Sequence, residues 1–447
     1  MSWKDFYNSR RMSAQEAAEI VQSKDAFWTP LGLGQPSLPI MDAIADRKDE
    51  LQDVEYLSCL TLRPYKVFQP EYRASFTLLA GFYSTPVLQA IAKSEWANYW
   101  PLNASDTGQR YARRRKMTGR RSGLVVQVTP PDEHGSVNLG LDAFYTEAMM
   151  DRSDWIIAQV NPHLPRTFGQ TSFPVSRFSA FVEYAEPLLE FPTPEPSPVE
   201  VKMAENVMTL VRDRDCIQVG IGAVPAMIGK LMEHSGLRDL GIHTEMLPVG
   251  TERLVEKGVV TCKYKKTHPG KILTGFAFGE RSLYAFAANN PMVEFHPVSY
   301  GNHVGVIARE ENMVAINGSI EIDLTGQVVS ECIGDVMHSG PGGQLDFTIG
   351  AALSPGGRAI NLVPSTAAND TISRIVPYLK HGARVTVPRH YTQYVVTEYG
   401  VADLYARSEP ERTEELIRVA HPKFREELEQ GARQRGLLKK KIFAANT

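Results

Sequence analysis

Residues 216–250, CIQVGIGAVPAMIGKLMEHSGLRDLGIHTEMLPVG, constrain the fold more than any other stretch of this chain. They begin as an apolar strand, and Gly220, Gly222 and Pro225 then predict a sharp turn. A helical spacing of apolar residues follows, and a second short strand leads to Glu245. A strand, a glycine turn, a helix and another strand are typical of an α/β fold with parallel strands.

The glycine turn and Glu245 together suggest a reaction site. Bare backbone N–H groups at the positive end of a helix suit an anion or a developing oxyanion. A carboxylate one short strand later can face such a turn. Our hypothesis is that Glu245 is a covalent nucleophile and that the turn from Gly220 to Pro225 contributes to its oxyanion hole. The simpler alternative from the residues alone is a solvated glutamate at a strand end.

A similar unit occurs near the start of the chain. Residues 26–31 lead into Gly32-Leu33-Gly34-Gln35-Pro36, and PIMDAIADRKDEL then has helical spacing. The repetition of this order predicts two related α/β halves. Coincidence is the alternative, because Gly-x-Gly before a helix is common in α/β proteins.

Strand and helix patterns alternate through the rest of the chain. In the first half they predict strands at 54–61, 122–128 and 155–160, and helices at 14–22 (after an N-cap at Ser13) and 86–93. In the second half they predict a tight loop at 340–347, a helix at 372–380, a strand at 394–397 and a helical end from Glu411. This alternation favours parallel sheets with crossover helices.

The segment PTPEPSP at 192–198 is the clearest domain boundary. Alternate prolines disfavour a helix and cannot donate to a sheet, so we expect an extended linker. It divides the chain into an N-terminal domain, 1–191, and a C-terminal domain, 199–447, which carries Glu245.

Composition excludes several classes of protein. The chain has 447 residues, 43% hydrophobic and 22% charged, which is typical of folded globular domains. A net charge of −3 gives no electrostatic footprint for nucleic acid. No apolar run approaches the ~18–20 residues of a membrane span, and the first residues are too polar for a secretory signal. We therefore expect a cytoplasmic protein without nucleic-acid or membrane partners.

The residues that could hold a metal do not have ligand spacing. The four cysteines are far apart and form no CxxC pair, so they predict buried thiols: Cys59, Cys216, Cys262 and Cys332. Asp132-Glu133-His134 has the composition of a turn. The sequence therefore predicts no metal site.

Beyond these patterns, a series of motifs runs along nearly the whole chain. In the N-terminal half they are GLGQP, TPPDEHGSVNLG and QVNPHLPRTFG; in the C-terminal half they are GIGAVP, GIHTEM, HPGKI, NNPMVEFHPV, INGSIEIDLTGQV, GGQLDF, STA and VVTEYGVADL. Together they resemble the acetyl-CoA hydrolase/CoA-transferase family, and within it the 4-hydroxybutyrate CoA-transferase branch. The resemblance implies two open α/β domains with the active site in the cleft between them.

The resemblance also implies a reaction and its residues. A glutamate attacks an acyl-CoA, becomes a glutamyl-CoA thioester and passes CoA to a second acid, with coenzyme A as co-substrate and no other cofactor. The implied catalytic group is Glu245, Glu398 and Gly343, where Gly343 donates its N–H to the oxyanion hole and Glu398 lines that hole. The implied CoA-binding and acyl-binding positions are Gly220, Gly222, Ala223, Val224, Pro225, Asn302, Asn317, Gly342 and Gly343. His243, beside the nucleophile, is expected to be structural, because a carboxylate needs no base.

Two departures from the family pattern concern the substrates. Relatives often carry a lysine after STA that reaches a CoA phosphate, whereas this chain has Ala368, so Arg374 or Lys380 is expected to replace it. Relatives commonly continue HTEM with Ser-Asp-Gly, whereas Leu247-Pro248-Val249 here predicts a more apolar wall. That wall argues against 4-hydroxybutyrate itself as the acceptor.

We therefore expect a CoA-transferase that acts between acetyl-, butyryl- or succinyl-CoA and a small acid such as 4-hydroxybutyrate, butyrate or itaconate. Arg63, Lys66 and the basic run at 113–115 are expected near the acyl pocket, which favours a dicarboxylate. Leu31 and the residues up to Gln35 are expected to set the acyl length. The alternatives are an acyl-CoA hydrolase with the same glutamate and a non-catalytic acyl-CoA-binding protein. Family analogy predicts a homodimer or larger homo-oligomer.

Overall fold

Two open parallel sheets dominate the computed structural model, which describes residues 2–83, 88–89, 91, 96–220 and 222–438. The strands of the first half are β1 Ala26–Trp28, β2 Val54–Cys59, β3 Phe76–Phe82, β4 Ala97–Tyr99, β5 Ser122–Val128, β6 Ser136–Asn138, β7 Trp155–Val160, β8 Phe168–Gly169, β9 Ser172–Pro174 and β10 Ala180–Glu183. Seven of these form one sheet in the order β10-β7-β5-β1-β2-β3-β4, and every neighbouring pair is parallel.

The second half contains a six-stranded sheet and several small ones. Its strands are β11 Cys216–Val219, β12 Gly241–Ile242, β13 Ile272–Thr274, β14 Val293–Phe295, β15 Met313–Gly318, β16 Glu321–Asp323, β17 Val328–Val329, β18 Cys332–Ile333, β19 Val336–Met337, β20 Arg358–Leu362, β21 Thr366–Ala367, β22 Ile372–Ser373, β23 Ile375–Val376, β24 Tyr394–Thr397 and β25 Gly400–Asp403. The larger sheet has the order β12-β11-β15-β20-β24-β25 and is parallel except for β25.

Helices connect the strands and cover the sheets. They are α1 Trp3–Arg10, α2 Ala14–Ala18, α3 Leu38–Asp46, α4 Thr107–Thr118, α5 Thr146–Met150, α6 Pro198–Met208, α7 Ala223–His234, α8 Thr251–Glu256, α9 Arg281–Ala287, α10 Val298–Gly301, α11 Val304–Ile307, α12 Gln344–Leu353, α13 Glu409–Val419 and α14 Arg425–Gln434. In the part of the chain that the structure describes, no helix is long and apolar enough to cross a membrane.

The parallel sheets confirm the α/β fold class. Buried β-branched and aromatic side chains explain why β5 and β7 form where the sequence predicted them. The two halves of the chain are not independent bodies, because β8 of the first half pairs with β14 of the second in a small separate sheet. One hydrophobic cluster also contains buried residues of both halves, including Phe144 and Phe276. The domain boundaries at 191 and 199 stay a prediction.

The topology of the second sheet places the site. Parallel strands present their carboxyl ends at one edge, where ligands of open α/β sheets commonly bind. At this edge, Gly220 follows β11, Glu245 lies shortly after β12, and Glu398 follows β24. The glycine turn at the end of β11 leads into α7 through Gly222, whose φ of 130° strongly favours glycine.

Two predicted elements were wrong. Residues 372–380 form no helix: Ala367 pairs with Ile372 in a hairpin, and Ile375 pairs with Ile322. These strand pairings override the local helical pattern. The predicted loop at 340–347 ends earlier than expected, because α12 begins at Gln344. The predicted helix at 86–93 lies mostly outside the described residues.

Candidate active site

The backbone of Glu245 is fixed where β12 meets β13. Its carbonyl oxygen accepts hydrogen bonds from the N–H groups of Gly275 and Phe276, at 2.8 and 3.0 Å. The hydroxyl of Thr274 also donates to it, at 3.1 Å. These three donors fix the backbone of Glu245, so its partly buried side chain can move only by rotation about its own bonds.

Two donors from different elements contact the Glu245 carboxylate. Asn302 Nδ2 donates to Oε1 at 2.9 Å, and the backbone N–H of Gly343 lies close enough to favour the ionised carboxylate. Gly343 immediately precedes α12, so the positive end of that helix lies beside the carboxylate. A Cβ atom at Gly343 would lie 2.5 Å from Glu245 Oε1 and 2.1 Å from Asn302 Nδ2. This position therefore requires glycine, because a side chain would displace both groups.

Asp346 is a second buried carboxyl group near Glu245. It accepts hydrogen bonds from Asn103 Nδ2 at 2.6 Å and from the hydroxyl and N–H of Ser105 at 2.7 and 3.0 Å. Burial, and then the negative charge of Asp346, raise the pKa of Glu245 to about 7, against the opposing effect of the hydrogen bonds from Asn302 and Gly343. The ionised form of Glu245 is therefore destabilised relative to that of a solvated glutamate.

Sequence reasoning missed Asp346, although a signal was present. Asp346 lies three residues after Gly343 in the GGQLDF motif, so a helix starting there places the two on one face. Asn103 and Ser105 belong to the other half of the chain and carried no comparable signal.

The Glu245 side chain faces a cavity of about 100 Å³ that both halves of the chain enclose. Its lining is largely apolar and consists of Leu31, Cys59, Leu60, Gly81, Phe82, Leu102, Phe144, Tyr145, Gln218, Val219, Gly220, Glu245, Met246, Phe276 and Gly342. Burial raises the pKa of Cys59 to about 12 and that of Tyr145 well above its ordinary value. Among these described lining residues, Glu245 is therefore the one side chain that can be charged at neutral pH.

Leu31 lies in this cavity wall, as expected for the residue that sets acyl length. Behind the wall, the buried carboxyl of Asp142 accepts a hydrogen bond from the N–H of Phe144 at 2.9 Å. Burial raises the pKa of Asp142 to about 8. Asp142 thereby holds the backbone of the cavity-lining segment at Phe144, and sequence reasoning did not identify it.

A second cavity, of about 130 Å³, lies on the other side of Gly220 and Met246. The linker residues Phe191, Pro192, Thr193 and Pro194 form one wall, and Gly222, Pro225, Ala226, Pro248, Val249, Phe278 and Gly279 complete it. Pro248 and Val249 thus line this second cavity rather than the cavity that Glu245 faces. The apolar wall beside the nucleophile stays a prediction. Ala223 and Val224 begin α7, where Val224 is buried in the core.

Some predicted site residues do not meet Glu245. Asn317 is buried and forms a reciprocal amide pair with Gln218, with both distances 3.1 Å. Glu398 accepts hydrogen bonds from the N–H of Ser365, at 3.0 Å, and from its hydroxyl. Strand spacing places the ends of β12 and β24 about 19 Å apart across the sheet. The predicted roles of Glu398 and Asn317 stay predictions.

The basic residues expected near the acyl pocket do not line the cavity, so this expectation was wrong. Four of them pair with carboxylates instead: Arg63 with Glu186 at 2.7 Å, Lys66 with Asp46 at 2.8 Å, Arg114 with Glu55, and Arg115 with Asp154. Tertiary ion pairing, which sequence does not reveal, therefore accounts for these cations.

The two candidates for the missing lysine at Ala368 are also engaged. Arg374 donates to the carbonyl of Ile320 at 2.8 Å and to that of Thr366 at 3.3 Å. Lys380 lies 3.9 Å from Glu321.

Comparison with known proteins confirms the resemblance. The model of the acetyl-CoA hydrolase/transferase N-terminal domain matches residues 1–190, and that of the C-terminal domain matches residues 279–432. The chain is 36% identical over 428 residues to the 4-hydroxybutyrate coenzyme A transferase of Clostridium kluyveri, covering 96% of this chain and 98% of that protein. It matches the crystal structure of RipA from Yersinia pestis with a TM-score of 0.91 at 31% identity, covering 98% and 100% of the two chains. A 4-hydroxybutyrate CoA-transferase from Porphyromonas gingivalis gives a TM-score of 0.81 at 31% identity, covering 97% and 100%.

Proposed function

Because the chain belongs to the acetyl-CoA hydrolase/transferase family, we propose that it transfers CoA from a short-chain acyl-CoA to a small carboxylate through a glutamyl-CoA thioester at Glu245. The observation that carries this proposal is the Glu245 carboxylate, which faces an apolar cavity, receives a hydrogen bond from Asn302 and lies beside the N–H of Gly343. A buried carboxylate with a raised pKa is a stronger nucleophile than a solvated one.

The transfer divides into balanced steps. A Glu245 oxygen attacks the thioester carbonyl, the C–S bond breaks, and CoA thiolate leaves an acyl-glutamyl anhydride. The thiolate then attacks the glutamyl carbonyl, the first acid leaves as a carboxylate, and a glutamyl-CoA thioester remains. The second acid reverses both steps, which predicts ping-pong kinetics.

Asn302 and Gly343 stabilise the oxyanions of the steps that occur at the glutamyl carbonyl. Asn302 already donates to the carboxylate of Glu245 and the N–H of Gly343 already lies beside it, so both need little reorganisation when charge accumulates on its oxygen. Each such preorganised donor contributes roughly 3–4 kcal/mol to the transition state.

The cavity favours short, uncharged acyl groups such as acetyl and butyryl. A dicarboxylate such as succinate or itaconate would place its second charge in an apolar volume of about 100 Å³, near Glu245 and Asp346. Such a charge, without a cationic partner in the described lining, is strongly unfavourable. We therefore propose a monocarboxylate acceptor.

Transfer is favoured over hydrolysis by the same lining. Hydrolysis of the glutamyl-CoA thioester needs a group that activates water. The raised pKa values of Cys59 and Tyr145 keep both groups protonated at neutral pH, so neither can serve as that base. CoA release from acetyl-CoA should therefore depend on added butyrate. Release that ignores butyrate concentration would favour the hydrolase.

The intermediate can be trapped chemically. Protein incubated with acetyl-CoA and then with borohydride should carry a primary alcohol in place of the Glu245 carboxyl, detected by peptide mass spectrometry. Glu252→Gln, a change outside the cavity, is a matched control that should still be trapped. An unmodified Glu245 peptide under turnover conditions would contradict the mechanism. A homo-oligomer, a cytoplasmic location and the absence of a further cofactor stay predictions.

A further inference from the structure

The donor Asn302 depends on a single helical turn for its position. It follows α10 directly, and its N–H donates to the carbonyl of Val298 at 3.0 Å. Asn302 is itself buried, so a small rotation of α10 would move Nδ2 away from Glu245 without exposing it to water. The contacts that hold α10 therefore decide whether the donor stays on the nucleophile.

One set of contacts begins at Tyr300 and forms a cluster of four side chains, which we call the His268 cluster: His268, Glu294, His296 and Tyr300. His268 Nε2 lies 2.9 Å from the Tyr300 hydroxyl, and His268 Nδ1 lies 2.7 Å from Glu294 Oε2. His296 Nε2 contacts the same Glu294 oxygen at 3.1 Å. The cluster links β14, the turn before β13 and α10.

The donors and acceptors of the His268 cluster match one another. The Glu294 carboxylate only accepts, so His268 Nδ1 and His296 Nε2 both donate to it. The Tyr300 hydroxyl can both donate and accept, so it satisfies the remaining ring nitrogen of His268. A continuous chain of hydrogen bonds therefore joins Tyr300 to Glu294 and holds the Tyr300 ring in one place.

A second contact holds the next residue of the same turn. His243 is fully buried, and its Nε2 donates to the carbonyl of Gly301 at 2.7 Å. Tyr300 and Gly301, the two residues before Asn302, are thus held from different elements.

We propose that Tyr300 and His268 are positioning residues for the reaction, because they hold α10 so that Asn302 Nδ2 stays on Glu245. The inference rests on the proposed role of Glu245 as nucleophile. Neither residue is among those that line the cavity, so their effect on the reaction passes through Asn302.

The test is a double-mutant cycle between Tyr300→Phe and Asn302→Ala. Tyr300→Phe removes one hydroxyl, and we expect kcat to fall roughly three- to tenfold with KM for acetyl-CoA nearly unchanged. In the Asn302→Ala background the same change should have no further effect on kcat. Additive losses, or a change in KM alone, would overturn the proposal. Tyr7→Phe, which removes a hydroxyl bonded to Glu183 far from the site, is the matched control and should leave kcat unchanged.

The pH profile of kcat/KM distinguishes a positioning role from a loss of stability, because destabilisation alone would not shift the profile along the pH axis. The groups facing the Glu245 carboxylate are Asn302, Gly343, Asp346 and Tyr145. Because the Asn302 hydrogen bond favours the ionised form, both Tyr300→Phe and Asn302→Ala should move the acid limb of kcat/KM to higher pH. The link would be refuted if the acid limb of kcat/KM shifts in Asn302→Ala but stays at its wild-type pH in Tyr300→Phe.

Metal binding is the outcome that would replace this proposal. His268, Glu294 and His296 offer ligand atoms that all lie within 4.8 Å of one another. Zinc titrated into the purified protein should not bind stoichiometrically at this cluster. The control is His268→Gln, which would abolish any zinc binding that occurs there. Stoichiometric zinc would overturn the positioning role in favour of a metal site. Failure of the proposed function is separate, since it would appear as full activity in Glu245→Gln.

Discussion

Glu245 and Glu398 are two glutamates in equivalent topological positions with different surroundings. Each lies beyond the carboxyl end of a parallel strand, at the same edge of the same sheet. Glu245 faces an apolar cavity that both halves of the chain enclose, beside a buried carboxyl group. Glu398 is held by Ser365 and is followed by the exposed Tyr399. Topology brings a carboxylate to the edge, but the packing around it decides what chemistry it can perform.

The largest expected difference is kinetic. Glu245→Gln should lower kcat for CoA transfer by roughly 10⁴–10⁶-fold, because the amide cannot form the covalent intermediate. The amide keeps the size of the carboxylate and can still accept from Asn302, so the fold should survive. The measurement is transfer from acetyl-CoA to butyrate, with circular dichroism as the control for folding. A decrease in kcat of less than tenfold would show that Glu245 matters no more for transfer than Glu398 is expected to.

The next effect concerns the donors that only Glu245 has. Gly343→Ala should lower kcat by roughly 10²–10³-fold, because the added Cβ would displace both the Glu245 carboxylate and its donor Asn302. Gly318→Ala is the matched control, since a Cβ there meets nothing within 4 Å and no strained φ is required. Equal losses in both variants would show that the effect is general destabilisation.

The third difference is the pH dependence. Glu245 attacks as a carboxylate, and its pKa is raised to about 7, so kcat/KM for acyl-CoA should fall as pH decreases through that value. The decrease should approach roughly tenfold per pH unit on the acid side. Asp346→Asn removes the neighbouring negative charge and should move this limb to lower pH. A wild-type profile that stays flat down to pH 5 would contradict the burial argument.

The smallest effect is expected at Glu398. Glu398→Gln should lower kcat less than about tenfold, since the side chain makes its contacts with Ser365 and does not line the cavity. The acid limb should stay where it is in the wild type. A loss comparable to that of Gly343→Ala would show that Glu398 reaches the oxyanion hole during the reaction, as the sequence motif predicted.

Local patterns predicted much of the fold. The bounds of β5, β7 and β24 agree with the buried apolar runs, because such runs form strands wherever both faces are covered. The helical pattern at 372–380 failed because Ile372 and Ile375 pair with distant strands. Local propensity is a weak preference that a few tertiary hydrogen bonds can reverse.

Sequence predicted the parts of the candidate site whose residues belong to one local structural unit. Gly220 and Glu245 lie within one strand–turn–helix–strand unit, so their proximity follows from chain order. Asn103 and Ser105 were missed, because each contacts Asp346, which is far away in sequence. Asp142 was missed because its raised pKa depends on burial, which sequence does not reveal. The basic residues Arg63 and Arg114 were placed wrongly, because their partners Glu186 and Glu55 are visible only in the folded chain.

The sequence by itself determined the α/β class, the family resemblance and the identity of the candidate nucleophile. These depend on periodicity and on motifs read along the chain. Only the tertiary structure decided that burial raises the pKa of Glu245, that no other charged side chain is among the described residues lining its cavity, and that Tyr300 hydrogen-bonds to His268. The reason is physical: burial and electrostatic interaction depend on distances between groups that are remote in sequence.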